Sequence, residues 1–164
     1  MRSLMLIAHN IRSTHNVGSL LRTADGLGVQ KVYLTGYTPY PQSNSDGRLP
    51  HVAQKLHRQI HKTALGAEET VPWEHSADAQ AILAQLKRDG YTVAAIEQRT
   101  HAIPLPEYAA PDKVALVVGR EVEGIEPEVL ELCDIVLEIP MFGKKESFNV
   151  AQAAAMALYH CRFR

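Results

Sequence analysis

Three small groups of side chains in this sequence have the types and spacing for chemistry. Glu121 stands within Gly119-Arg120-Glu121-Val122-Glu123-Gly124, a carboxylate on a loop bracketed by glycines. Asn16 precedes Arg22 by six residues, and Ser147 and Asn149 flank Phe148 just ahead of an alanine-rich segment. A loop carboxylate can move a proton or hold its neighbours still, and a guanidinium can clamp a phosphate or steady a developing oxyanion. Amide side chains can grip a hydroxyl through paired donors and acceptors. His57 and His61 lie four apart, a spacing that could hold a metal, but the sequence shows neither the Glu of an H-E-x-x-H motif nor a third ligand, so no metal is expected.

The elements around these groups follow from hydrophobic pattern. Val114 to Val118 and Ile135 to Ile139 are short β-branched runs of the kind buried on both faces of a parallel sheet, and we expect two central strands there. Glu121 then lies at the carboxyl end of the first, where open α/β sheets place ligands. Ser147-Phe148-Asn149 heads the last helix, whose polar start suits an anion or ligand and whose Val150, Ala153, Ala154, Ala157, Leu158 and Cys161 share one face. Leu4 to Ala8 is an expected strand, ended by the polar run Asn10 to Asn16. From Asn16 or Val17 the apolar positions Val17, Leu20, Leu21, Ala24 and Leu27 predict a helix capped by Gly26 and Gly28, carrying Arg22 toward the same sheet edge.

Further along, Lys31 to Thr35 and Tyr91 to Ile96 read as strands, Val71 to Trp73 as a short one, and Val52 to Ile60 and Ala77 to Lys87 as helices. Residues 98 to 112 hold Pro104, Pro106 and Pro111 and are expected to be extended. Gly36 to Pro50 is a long irregular loop, either a flap against substrate or disordered. The pattern is α/β, a mostly parallel sheet flanked by helices.

With 164 residues the chain fits a single domain spanning 1 to 164. No apolar run reaches the roughly 20 residues of a membrane span and no signal peptide is visible, so a cytoplasmic protein with no membrane partner is expected. Cys133 and Cys161 are too few for a disulfide framework, and Cys133 reads as a small core residue. The net charge of −1 conceals a division: residues 1 to 62 carry eight Lys or Arg against two Asp, and the remainder carries nine against sixteen acids. Either the amino-terminal third presents an electropositive face to a polyanion or the charge is scattered and solvated. No P-loop is present, and Gly26-Leu27-Gly28 follows a helix, so an ordinary Rossmann site is not expected.

Three blocks taken together carry a resemblance: Asn10-Ile11-Arg12 with Asn16-x-Gly18-x-x-x-Arg22-x-Ala24; Gly119-x-Glu121-x-x-Gly124 leading to Ile139-Pro140-Met141; and Ser147-Phe148-Asn149-Val150. In order and spacing they resemble the motifs of the SpoU (TrmH-type) RNA ribose 2′-O-methyltransferases of the SPOUT class, with Phe148 where leucine is more usual. The resemblance implies an α/β knot with a carboxyl-terminal trefoil, a homodimer whose site is completed across the interface, and S-adenosylmethionine as methyl donor. It implies cofactor contacts at Ile96, Gly119, Ile139, Met141 and Phe148. Arg22, Asn16, Glu121, Ser147 and Asn149 would form the catalytic set, with Arg22 as base or phosphate clamp. Arg12, Arg48, Lys55 and Arg58 would face RNA, either tRNA, which is mildly favoured, or rRNA. A non-catalytic RNA-binding relative and an unrelated α/β nucleotide enzyme stay open at this point.

Overall fold

The computed structural model describes every residue from Met1 to Arg164. Seven strands, β1 (Ser3–His9), β2 (Lys31–Thr35), β3 (Trp73–Ser76), β4 (Thr92–Ile96), β5 (Ile103–Pro104), β6 (Lys113–Val118) and β7 (Ile135–Glu138), form one sheet in the order β3-β2-β1-β6-β4-β7-β5. Every strand pairing is parallel. The helices are α1 (Thr14–Gly26), α2 (Pro50–Ala64), α3 (Ala67–Thr70), α4 (Ala79–Arg88), α5 (Pro127–Leu130) and α6 (Val150–Phe163). None is long and apolar enough to cross a membrane.

The strand pleat sorts the core into two layers. Leu4, Leu6 and Ala8 of β1 and Val114, Leu116 and Val118 of β6 join the larger cluster, which also takes Leu20 and Leu21 of α1 and Ala154 and Leu158 of α6. Ile7, Ala115 and Val117 point the opposite way, into a smaller cluster with Leu83 and Leu86 of α4 and Val129 of α5. Alternation with period two therefore buries both faces of the central strands. Gly18 lets α1 lie directly on α2: a methyl group there would collide with the Ile60 carbonyl and the Thr63 side chain.

Several expectations shift. β6 is central, between β1 and β4, but β7 has only the two-residue β5 beyond it, because the proline-bearing segment there can offer few ladder N–H groups. The strand expected at Val71 starts at Trp73, since Val71 terminates α3. α1 begins at Thr14, earlier than its apolar pattern, because Ser13 is the N-cap and its hydroxyl accepts from Asn16 N at 3.2 Å. Cys133 is only half-buried, at the rim of the smaller cluster, with its thiol pushed up to about 11 by burial.

The strand order reverses between β1 and β6. Chain growth runs outward from β1 through β2 to β3, then resumes on the other side of the sheet. A crevice at the carboxyl ends of these two strands is where open α/β sheets bind ligands. The loop after β1 holds Asn10 to Ser13, and the loop after β6 holds Gly119 to Glu126.

Candidate active site

One chain of hydrogen bonds joins the three motif segments. Asn149 is the N-cap of α6, its Oδ1 accepting from Ala151 N at 2.9 Å. That use of the oxygen turns its Nδ2 outward, where it donates to Asn16 Oδ1 at 3.1 Å. Asn16 must then present its own Nδ2 to Glu121 Oε1, also at 3.1 Å. Glu121 further accepts from the backbone N–H groups of Ser13 at 3.1 Å and Arg12 at 3.3 Å. Each amide orientation is forced by the one before it. Burial raises the Glu121 pKa, but the bonds from Asn16, Ser13 and Arg12 outweigh it and hold the carboxyl below its ordinary value. An ionised carboxylate with three donors is an anchor for the loop after β1 rather than a proton carrier at neutral pH.

Beside this chain lies a cleft of about 150 Å³ whose wall includes Ile96, Gly119, Glu121, Ile139, Ser147 and Phe148. Gly119 has a steric reason to be glycine, since a Cβ there would sit 2.6 Å from Ile125 and 2.8 Å from the Gly124 carbonyl oxygen. Gly124 has φ +72°, the left-handed turn that brings the loop back to bond Arg120 N at 3.1 Å. The result is bare backbone flanked by the apolar Ile96, Ile139 and Phe148 and by the polar Glu97, Gln98, Arg120 and Glu123, a lining that suits a flat heterocycle with polar edges. Ser147 lines the same cleft, exposed and with no hydrogen bond inside the chain. Met141, expected with this group, is not part of the wall.

Two acids that the pattern did not single out hold the loop after β6. Glu97, just past β4, accepts from Ile125 N at 2.9 Å and Gln98 N at 3.1 Å. Glu126 accepts from Asn10 Nδ2 at 2.6 Å, lies 3.1 Å from His9 Nε2 and is 3.6 Å from Arg120 Nε. Burial lowers the His9 pKa more than Glu126 raises it, so the ring is neutral near pH 7, with Nδ1 beside Thr35 Oγ1 at 2.9 Å. The available signal was position: His9, Asn10 and Glu97 are polar residues at the carboxyl ends of parallel strands.

The expected basic residues divide. Arg22 is exposed on α1, makes no hydrogen bond or ion pair within the chain, and does not reach the cleft. Six residues of α-helix place it about 9 Å along from Asn16 and roughly 120° around from it. Lys55 and Arg58 are exposed on α2, and Arg12 is exposed near Glu123 at 3.6 Å. Arg48 is a correction. Its guanidinium is spent inside the loop on Asp46, on the carbonyls of Tyr40 at 3.0 Å and Pro41 at 2.9 Å, and on the Tyr40 ring at 3.5 Å. It orders a loop that is not disordered, and no free cation is left for a phosphate. His57 and His61 do meet carboxylates, Glu69 and the buried Glu68. His57, Glu68 and Glu69 each bring one possible ligand atom within 4.8 Å of the others, while His57 Nδ1 accepts from Gln42 N at 3.3 Å.

The fold is that of the SPOUT methyltransferases. It aligns with the AdoMet-bound rRNA methyltransferase from Sinorhizobium meliloti at a TM-score of 0.81, with 20% identity, covering 98% of this chain and 56% of that one. The model of the SpoU rRNA Methylase family matches residues 3–159, and the chain belongs to that family. It is 35% identical over 159 residues to the 23S rRNA (guanosine-2'-O-)-methyltransferase RlmB of Neisseria meningitidis, covering 97% of this chain and 58% of the relative, so it spans a little over half of that protein's length. A solved chain described by its 2-OH methylation of C/U34 on tRNA is 26% identical with a TM-score of 0.78, and the match covers 98% of this chain and 94% of that one.

Proposed function

We propose that the protein transfers a methyl group from S-adenosylmethionine to a ribose 2′-hydroxyl of RNA. The observation that carries this is the bond chain Asn149, Asn16, Glu121 set beside the glycine-walled cleft, in a member of the SpoU family. Ile96, Gly119, Ile139 and Phe148 would hold the cofactor, which when bound supplies a methyl group already activated on a sulfonium. The remaining demands on the protein are to place the hydroxyl in line and to ease its deprotonation. Asn16, already oriented by Glu121, and Ser147 would hold the ribose or its phosphate.

Arg22 is assigned the proton or the developing alkoxide. A guanidinium is already protonated at neutral pH and has no lone pair to take the hydroxyl proton, and a bidentate clamp on the adjoining phosphate suits it better. Since Arg22 stands away from its own chain's cleft, it would act in the site of a second copy, so we assign a homodimer. Two further observations support that assignment. The cleft is smaller than the roughly 300–1,000 Å³ of small-molecule pockets, and Val122 and Phe142 on its bordering loops are 90% and 98% exposed. We also assign the trefoil knot of the class, a single domain over residues 1 to 164, and a cytoplasmic location.

The RNA backbone would lie along α2, where exposed His51, Lys55, Arg58 and Lys62 repeat every three to four residues and form one stripe. Transfer RNA is the favoured substrate, because the solved chain matched over nearly its whole length is one described by methylation of tRNA. The test is transfer of tritium from labelled S-adenosylmethionine to bulk tRNA and, separately, rRNA. Label in a 2′-O-methylnucleoside of tRNA is expected. Label confined to rRNA would overturn the substrate choice, and no calorimetric binding of the cofactor would overturn the reaction.

A further inference from the structure

A second cleft, of about 730 Å³, opens on the opposite side of the Arg12–His15 segment, where the loop after β1 enters α1, and nothing in the proposed methyl transfer uses it. Its volume falls within the roughly 300–1,000 Å³ of small-molecule sites. Its lining holds no Asp or Glu and includes Arg12, His15, Tyr37, Arg48, Gln59 and His75. Arg12 at its edge is shared with Glu123 at 3.6 Å and Arg48 is spent on Asp46, so the unopposed charge comes from the basic stripe of α2 that borders the cleft, which favours a ligand carrying negative charge.

The wall is built in advance. Arg48 lies 3.5 Å over the Tyr40 ring and His75 stacks on that ring at 4.0 Å; at such distances the two must take opposite faces. His75 Nε2 is in turn 3.1 Å from the Gly36 carbonyl oxygen. Tyr40 is thereby consumed as structure. Tyr37 differs: its backbone N–H donates to Asn10 Oδ1 at 3.0 Å, while the residue is 52% exposed, its side chain lies beside Arg12 and its ring stacks on no aromatic neighbour. Asn10 is itself fixed to Glu126 and adopts φ +55°, so the chain holds Tyr37 in place at the backbone and leaves about half of the residue open to solvent. A rigid, exposed aromatic ring beside a guanidinium is the arrangement that stacks unpaired bases and meets their phosphates. The Gln59 amide, on the facing helix, offers a donor and an acceptor to a base edge.

We propose that this cleft seats an unstacked RNA base next to the nucleotide that is methylated, with Tyr37 as the stacking platform and Gln59 as the group that reads its edge. The proposal rests on the RNA-methylating reading above. The occupant is a flanking nucleotide because the Arg12–His15 segment, whose Arg12 and Ser13 backbone holds Glu121 on its other side, separates this cleft from Asn16 and Asn149. Substrate choice would then be made partly here, by recognition of an exposed single-stranded base.

Fluorescence anisotropy with labelled decaribonucleotides of adenine, cytosine and uracil, beside an abasic decamer of equal charge, tests this. The base-bearing decamers are expected to bind about tenfold more tightly than the abasic one. Tyr37→Ala should erase that advantage and Tyr37→Phe should keep it, with unchanged circular dichroism because the ring is exposed. Gln59→Ala should narrow the differences among the three bases. Lys55→Ala with Arg58→Ala should weaken all four decamers alike and flatten their salt dependence. Equal binding of base-bearing and abasic decamers, or an advantage that survives Tyr37→Ala, would overturn the proposal. Failure of the underlying reading has a different signature, the absence of calorimetric binding of S-adenosylmethionine, which Tyr37 does not influence.

Discussion

Replacing Glu121 with alanine removes one acceptor from three donors at once, those of Asn16, Ser13 and Arg12. A hydrogen bond to a charged group contributes about 1.5–3 kcal/mol when buried. Glu121 is only half-buried and its bonds run from 3.1 to 3.3 Å, so solvent competition reduces each to about 0.7–1 kcal/mol, or about 2–3 kcal/mol together. For a chain of this size that corresponds to a fall in Tm of about 5–10 °C. If the same energy is lost from the transition state, kcat/KM for RNA falls about 30- to 150-fold. Glu121→Gln keeps an acceptor oxygen but turns an NH₂ toward the donors, and its losses should fall between wild type and alanine. Because the folded carboxyl titrates below its ordinary value of 4.5, its stabilisation is complete above that value and disappears as pH falls through the folded one. The difference in Tm between Glu121→Ala and wild type should therefore shrink below about pH 4.5. Differential scanning calorimetry and steady-state methyl transfer measure the two effects. Abolished activity with an unchanged Tm would refute the anchor and give Glu121 a chemical role.

Three other outcomes follow from the same geometry. Gly119→Ala forces a Cβ against Ile125 and the Gly124 carbonyl, an overpacking cost of about 1–3 kcal/mol, and should weaken calorimetric binding of the cofactor about tenfold. Arg22→Ala should abolish methyl transfer while shifting Tm by less than about 2 °C, since the side chain has no partner in its own chain; Arg22→Lys with near-full activity would count against a bidentate clamp. His9, buried with a lowered pKa, binds protons less readily folded than unfolded, so stability should decline as pH drops below the ordinary 6.5 toward the folded value. His9→Asn should remove that slope in urea titrations between pH 7 and 5, and an unchanged slope would exclude His9 as its source.

Strands buried on both faces announce themselves through apolar runs, which is why β1, β4 and β6 fall where the sequence places them. Short elements carry no such period. α3 and α5 have four residues each, about one turn, and neither could show an amphipathic repeat. β7 reads as strongly apolar as β6, yet pairing order is a property of crossovers that local composition does not encode. At the site, Glu121, Asn16 and Asn149 were legible as types, while their relay of amide orientations exists only once α6 lies beside the loop after β1. Arg48 shows the converse. On the chain it is one cation of a basic third, but the Asp46-Gly47 turn folds a carboxylate back beneath it, and the charge that composition offered to RNA is neutralised locally. Arg22 gained no partner within its own chain, so nothing in the contacts of one copy marks it as a site residue.

The central claim is that the methylated atom is a ribose oxygen, and the chemistry of RNA permits a direct test. Alkali cleaves a phosphodiester through the neighbouring free 2′-hydroxyl, so a 2′-O-methyl group protects its own linkage. After transfer from tritiated S-adenosylmethionine to tRNA and complete alkaline digestion, the account predicts label in resistant dinucleotides with wild-type protein and none with Arg22→Ala. Label recovered in mononucleotides would mean that a base had been methylated, and would contradict it.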